Sequence, residues 1–411
     1  MVEDQLLEFC SSYSKIYCYG AGVYGRLTRI FLRENGYDIE GFIVSSGQIL
    51  IDNVLGKQMI PIDQIDVDES GIILSVSERY QREICEGLKR EGIVNYFKAE
   101  DFFWENLKLK TKFDITRAIH PYVNVLMYHR VCNPQDNPWK IITSLENFEQ
   151  HVRFLKNNYP ILRFGDDCSN IQCPSVVITF DDGYKDNLVN ALPVLEKYEV
   201  PATVFVSTGI LKDGERFWWD RLENIFSHIG GCDGINILGE HFTGKELLKA
   251  HKFLYKLSAQ EKDKALLAVE RDLSIEKQRR TTSAQGLSVE ELKKLADSPF
   301  ISIGAHTVTH SSLIYENARM QEWEIRESKK ILEQITGRTV DTFSYPLGDY
   351  NGDIIDILKR SAFARAATIV NGLWYRQSNY EIPRNMVMDY NIQEFERFMR
   401  YTWVMYNDDI L

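Results

Sequence analysis

A chain of 411 residues with a formal net charge of −11, 44% apolar and 26% charged, has the composition of an ordinary globular protein and enough length for two domains. The acidic balance argues against nucleic acid or an anionic membrane surface as the main partner, and no stretch reaches the ~18–20 apolar residues of a membrane helix. Met1-Val2-Glu3-Asp4 opens no basic-then-apolar leader, and seven cysteines without a CxxC pair fit reduced thiols, so the cytoplasm is expected rather than an export route, a disulfide framework or a zinc knuckle.

The first hundred residues alternate between strand and helix patterns. Lys15–Tyr19 reads as a strand, Gly20–Gly25 as a glycine turn, and an amphipathic helix runs on to about Glu34. Strands at Ile39–Val44 and Gly71–Val76 follow, the second leading into a helix with Ile84 and Leu88. This order predicts a Rossmann-like parallel sheet over residues 1–110. Gly20, Gly22 and Gly25 fit G-x-G-x-x-G, which can place a phosphate at a helix N-terminus. The strand that should end in an acid for a ribose ends instead in Val44-Ser45-Ser46, and Glu40 lies near its beginning. A nucleotide or nucleotide-sugar site therefore stands beside a degenerate module for docking or homo-oligomerisation.

A boundary is expected between Phe103 and Pro121, with a second domain over 121–411. Val123–Tyr128 reads as a strand ending at His129, and Ser144 as the N-cap of a helix carrying Phe148, Val152, Phe154 and Leu155. Ser175–Phe180 is a buried strand stopping at two aspartates. Helix 187–198, strands 202–207 and 301–304, helix 318–336 and strand 342–345 continue the alternation, which predicts a β/α barrel with its site at the C-terminal face. Residues 214–286 look like an insertion, a lid, rim or helical cap, opening on Trp218-Trp219, with a glycine-rich patch at 230–234 and a charged helical stretch over 244–280. The tryptophans can stack on a sugar or pack the insertion onto the barrel. Trp323, Ile331, Leu332 and Ile335 are expected in the core.

Asp181 and Asp182 diverge from one strand end, so one can bind a metal while the other faces a reacting centre; a helix N-cap is the plain alternative. His306 and His310, four apart, would share one face of a helical turn. With Asp182 they make two nitrogen ligands and one oxygen ligand with an open position, the pattern of a catalytic metal.

Thr179-Phe180-Asp181-Asp182-Gly183, His306-Thr307-Val308-Thr309-His310 and Phe343-Ser344-Tyr345-Pro346-Leu347-Gly348 resemble successive motifs of the NodB-type polysaccharide deacetylases, carbohydrate esterase family four, over about 121–390. The resemblance implies a deformed β/α barrel, a divalent metal (zinc, with cobalt or nickel as alternatives) and removal of acetyl from an N-acetylated sugar. Asp181 would be the general base, Asp182, His306 and His310 the metal ligands, and a backbone N–H near Leu347 the oxyanion donor. Tyr345 of the same motif would contact substrate or orient the base.

Two departures stand out. No histidine follows His310, whereas many members carry a C-terminal one as acid; Met127-Tyr128-His129-Arg130-Val131 is instead similar to the Tyr-His motif of the circularly permuted poly-N-acetylglucosamine deacetylase branch, where the N-terminal histidine is the acid. His129 is the expected acid, or a structural histidine at a strand end. The arginine that usually opens the third motif is replaced by Ser344, and Arg384 in Glu381-Ile382-Pro383-Arg384 is the best substitute to hold Asp181 or a substrate group, unless it makes an ordinary salt bridge. The expected protein is thus a cytoplasmic hydrolase of C–N bonds in surface-polysaccharide or glycoconjugate assembly, acting on a nucleotide- or lipid-linked sugar. A non-catalytic carbohydrate-binding scaffold and an esterase or amidase for another acyl group are the alternatives.

Overall fold

The computed structural model describes residues 2–44, 53–54, 57–67, 69–100, 103, 122–133, 137–168, 171–211, 216–230, 234–275, 285–375 and 378–406. The chain divides into two compact units. The first comprises Met1–Tyr122, Gln172–Pro174 and Gln393–Leu411, and the second Val123–Ile171 and Ser175–Ile392. Among the described residues no helix is long and apolar enough to cross a membrane.

The first unit holds helix α1 (Val2–Ser11), strand β1 (Lys15–Tyr19), α2 (Val23–Glu34), β2 (Gly41–Val44), β3 (Asn53–Val54), β4 (Lys57–Pro61), β5 (Ser70–Leu74), α3 (Glu78–Arg90) and β6 (Tyr96–Lys98). Their sheet order is β3-β4-β2-β1-β5-β6, parallel throughout except for β3 against β4. The winding reverses at β1, whose C-terminal end meets the glycine turn. Alternation along β1 supplies both faces. Ile16 and Cys18 pack with Leu6 and Cys10 of α1 and Leu27 and Ile30 of α2. Tyr17 packs on the other side with Ile43, Ile72 and Leu88 of α3.

The second unit continues with β7 (Val123–Tyr128), β8 (Arg130–Val131), β9 (Ile142–Thr143), α4 (Leu145–Asn158), β10 (Ile161–Leu162), β11 (Ser175–Phe180), α5 (Leu192–Lys197), β12 (Ala202–Val206), α6 (Trp218–Ile229), β13 (Ile235–Ile237), β14 (Glu240–Phe242), α7 (Leu247–Tyr255), α8 (Ala259–Asp272), α9 (Val289–Asp297), β15 (Ile301–Ala305), α10 (Ala318–Thr336), β16 (Thr342–Ser344), α11 (Gly352–Arg360), β17 (Arg365–Ala367) and β18 (Asn385–Met386). The C-terminal helix α12 (Ile392–Tyr406) lies almost wholly in the stretch that groups with the first unit. Eight parallel strands form one curled sheet in the order β17-β16-β15-β12-β11-β7-β18, with β10 beside β11. Its two edges approach through a parallel bridge between Ala367 and Ile382, which leaves a deformed barrel.

Every residue of β7 and of β11 is buried, as their near-continuous apolar runs require of strands covered on both faces. Asn124 is the one amide among them. It is fully buried, its Oδ1 accepts from Asn385 Nδ2 (2.8 Å), and the same amide reaches the Gly372 carbonyl (2.7 Å). A two-residue strand has few backbone bonds with which to fix its register, so this buried amide pair pins β18 on β7.

The expected N-cap is present, Ser144 accepting from Asn147 N–H, and Phe148, Val152 and Leu155 of α4 are buried while Phe154 is only half-buried. The helix predicted over 187–198 begins as a π-helical turn, Asn187–Ala191, before α5. The insertion is more than helical: α6, α7 and α8 enclose the hairpin β13–β14 around Leu222, Phe226, Ile237, Phe242, Leu254 and Leu266. Residues 231–233 and 276–284, parts of the predicted glycine patch and charged stretch, lie outside the described residues. On α10 the expectation for Trp323 is overturned. It is 42% exposed, and the buried stripe is Gln321, Glu324, Ile325, Ser328 and Leu332.

Candidate active site

The predicted site residues of the second unit gather where parallel strands end. Asp181 and Asp182 follow β11, His306 and His310 follow β15, Ser344 ends β16, and His129 follows β7. Arg384 differs, since it immediately precedes β18. The register Asn385↔Leu126 sets it below the strand ends, and its side chain runs inward to reach Asp181.

That contact is a full fork. Arg384 is 0% exposed; Nη1 donates to Asp181 Oδ1 and Nη2 to Asp181 Oδ2, both at 2.7 Å. Its other donors go to Thr179 Oγ1 (3.2 Å), Ser344 Oγ (2.8 Å) and the Thr368 carbonyl (2.9 Å). All five guanidinium N–H groups are therefore engaged, which makes a buried arginine tolerable. Ser344 Oγ in turn donates to Asp181 Oδ2 (3.2 Å), so the residue standing where an arginine was expected completes the cradle. Burial disfavours a charged Asp181, but the Arg384 guanidinium, with His306 and His129, outweighs it and holds the carboxyl below its ordinary range.

Asp182, His306 and His310 converge beside it, buried, with ligand atoms within 4.8 Å of one another. The convergence does not come from the helical turn that the i, i+4 spacing suggested. Residues 306–310 are irregular, Thr307 and His310 take left-handed φ of 65° and 54°, and Asp182 itself has φ 79°. Gly183 continues the turn at φ 86°, where an added Cβ would lie 2.9 Å from Val206 Cγ1. His306 Nδ1 donates to the Ser344 carbonyl (2.7 Å), which turns the Nε2 lone pair toward Asp182. Nε2 of His310 and of His306 stand 3.1 and 3.5 Å from Asp182 Oδ1.

The donor set fits a divalent metal. Asp182 Oδ1 is buried without a hydrogen-bond partner, and lone pairs facing lone pairs at these distances call for a cation between them. Burial pushes His310 below the ordinary imidazole value, so it offers a neutral nitrogen.

His129 is half-buried, and its imidazole acts electrostatically on both aspartates, while its carbonyl accepts from Asn187 Nδ2 (2.8 Å). Leu347 holds φ 60° in the turn Pro346–Gly348, and its amide N–H has no partner among the described residues. Tyr345 is not free to meet a ligand: it is fully buried, its hydroxyl donates to the Tyr380 carbonyl (2.9 Å), and its ring stacks on Tyr350 at 4.7 Å. Trp218 and Trp219 are 7% and 6% exposed, so packing rather than an open stacking face is their use. Trp219 lies 4.5 Å edge-on to His310 and donates to Tyr184 Oη (2.9 Å), which walls the His310 side of the site with the insertion.

In the first unit the glycine turn is explained largely by packing. Gly20 has φ 96°, and an added Cβ there would lie 2.7 Å from Val76 Cγ1; at Gly25 it would lie 2.0 Å from the Gly20 carbonyl oxygen. Gly22 caps α2 with open space around it. Ser45 and Ser46, where a ribose-binding acid was sought, lie outside the described residues.

Sequence reasoning missed Thr179, Thr368 and Glu324. Thr179 opens the first motif and could have been read from it; Thr368 enters through its backbone carbonyl, which has no signature, and Glu324 shows only as a polar position on the Leu332 face of α10.

Residues 169–365 match the family model described as polysaccharide deacetylase. Among curated proteins, YxkH of Bacillus subtilis (strain 168), which bears a polysaccharide deacetylase name, is 23% identical over 270 residues, covering 63% of this chain and 69% of that one. Among solved structures, the Streptococcus pyogenes deacetylase PplD in complex with acetate is 18% identical with a TM-score of 0.46, covering 69% of this chain and 99% of that one. IcaB from Ammonifex degensii is 16% identical with a TM-score of 0.43, covering 70% and 98%.

Proposed function

Since this chain carries a polysaccharide deacetylase domain of the NodB type, we propose that it is a metal-dependent hydrolase that removes acetyl from the nitrogen of an N-acetylated sugar. The observation that carries the reading is the pairing of a buried, arginine-clamped Asp181 with the adjoining Asp182, His306 and His310. Those three would hold the metal, zinc by donor type. Bound there, it would polarise the acetamide carbonyl and acidify a water.

The remaining work falls to side chains. Asp181, kept ionised by Arg384, accepts the proton of the attacking water. The N–H of Leu347 donates to the oxygen on which negative charge develops. His129 protonates the departing amine, because an amide anion is too basic to leave unaided. We place the activity in the cytoplasm, on a nucleotide- or lipid-linked sugar of surface-polysaccharide or glycoconjugate assembly. All six cysteines among the described residues are free thiols, in keeping with a reducing compartment. The glycine turn of the first unit is retained as a candidate nucleotide contact or a surface for homo-oligomers.

The test is acetate release from N-acetylglucosamine-containing nucleotide and lipid-linked donors, with and without a chelator. Chelator-sensitive release is expected. Absence of release from every N-acetyl sugar, or release that ignores a chelator, would overturn the reading; loss of zinc and cobalt affinity altogether would favour a binding scaffold, and preference for O-acetyl substrates an esterase.

A further inference from the structure

The loop that presents the two histidines is held from behind by a carboxylate that takes no part in the hydrolysis itself. Thr307 and His310 both occupy the left-handed region, at φ 65° and 54°. That conformation is disfavoured for a β-branched residue such as Thr307 and persists only where the surroundings enforce it.

Thr208 and Gly209 N–H groups hold the Thr307 and Val308 carbonyls from one side (3.1 and 2.8 Å), and Glu324 on α10 holds the other. It is 0% exposed; Oε2 accepts from Val308 N–H (2.7 Å) and Thr309 N–H (3.0 Å), and Oε1 accepts from the Thr309 hydroxyl (2.5 Å). Three bonds thus converge on two residues that lie between the histidines. One turn earlier, Gln321 Nε2 donates to the carbonyls of Leu313 (2.9 Å) and Glu316 (3.0 Å), downstream of His310. A helix that had only to pack would bury apolar side chains. A carboxylate withdrawn wholly from water is tolerated when its lone pairs are satisfied, and here the backbone and one hydroxyl of a single loop satisfy them.

We propose that Glu324 is a positioning residue of the metal centre, fixing the 307–309 backbone so that His306 and His310 both aim at Asp182. The inference rests on the reading of Asp182, His306 and His310 as metal ligands. Glu324 touches none of them. It acts through Val308 and Thr309, and the left-handed turn it holds brings the two imidazole rings to 4.7 Å, crossed at 75°.

The full chain, stripped of metal, is titrated with Zn2+ against a chromophoric chelator and with Co2+ by visible absorption, folding of each apo variant being checked by circular dichroism. Glu324→Ala is expected to bind Zn2+ about 10- to 100-fold more weakly, the range for lost outer supports of metal ligands. Glu324→Gln keeps an oxygen for the two amides and gives Thr309 Oγ1 a donor, so it is expected to restore most of the affinity. Thr309→Val, which deletes one bond of the three, should fall between and gives a reading even if the alanine variant does not fold. A folded Glu324→Ala with wild-type Zn2+ affinity and an unchanged Co2+ spectrum would overturn the inference, as would a glutamine variant no better than alanine. Wild-type protein that binds neither ion overturns the metal reading itself, and that failure is seen before any variant is made.

Discussion

At the scale of single residues, the decisive relation is between Asp181 and Arg384, 203 positions apart in sequence. A depressed carboxylate means that the fold favours the ionised form; the stability this contributes is present above the unfolded carboxylate value and is lost as pH falls through the folded one. Removing the guanidinium takes away the main opposition to burial, so Asp181 keeps its proton to higher pH. Arg384→Met is expected to lower kcat/KM about 10²-fold or more and to move the acid limb of its pH profile upward. A limb that stays in place would deny Asp181 the role of base. Truncating one partner of a buried pair also costs about 3–5 kcal/mol, so thermal unfolding must accompany the kinetics. Arg384→Lys keeps the charge without the fork and should recover only part of the rate. For the ligands, His310→Ala is expected to abolish retention of Zn2+ through dialysis, read by elemental analysis.

At the scale of elements, strand ends were legible and the shapes of turns were not. The run Ser175–Phe180 announced a buried strand, and the residues just past a buried parallel strand lie at the site. The i, i+4 spacing of His306 and His310 pointed correctly to proximity and wrongly to a helix, because left-handed backbone at Thr307 and His310 has no reliable signature outside glycine. On α10 the apolar residues are expected in the core, but hydrogen bonds to the preceding loop put Gln321 and Glu324 inside, beside a Ser328 that bonds only within the helix, and Trp323 is left outside. The signal was there in principle: Gln321, Glu324 and Ser328 share a helical face with Leu332, and such a polar face is unusual in a core unless it holds a loop. Arg384 was nominated by type and position, and only the register of β18 places it. The insertion carries its own anomaly in Lys262 of α8, 2% exposed, its ammonium lying 5.0 Å over the Trp218 ring without a hydrogen-bond partner among the described residues. Burial pushes its amine down to about 8, against the partial opposition of Glu316, Glu324 and Asp349. A lysine depressed in the fold weakens stability fully below that value, and the penalty fades as pH rises toward the ordinary lysine range near 10.4. Lys262→Met is therefore expected to raise stability at pH 7 by up to about 3 kcal/mol and to give no advantage near pH 10.5, measured by denaturant melts across that window.

At the scale of the whole chain, the strand that closes the barrel is followed almost at once by α12, whose Phe395 and Met399 are fully buried and group with the first unit. Deleting residues 393–411 is expected to destabilise that unit while the second keeps its Zn2+ affinity; equal loss in both, read by metal titration and by proteolysis, would contradict the division. The order of the chain also sets an order of birth. Asp182, His306 and His310 are all made before the ribosome reaches Arg384, and β18 is too short to settle until Asn385 finds Asn124. A nascent chain can therefore gather the three side chains proposed to bind the ion while Asp181 still lacks its partner. With Asp181 as the proposed base, hydrolytic competence would then arrive only with the last strand of the barrel, after nearly all of the second unit has been made.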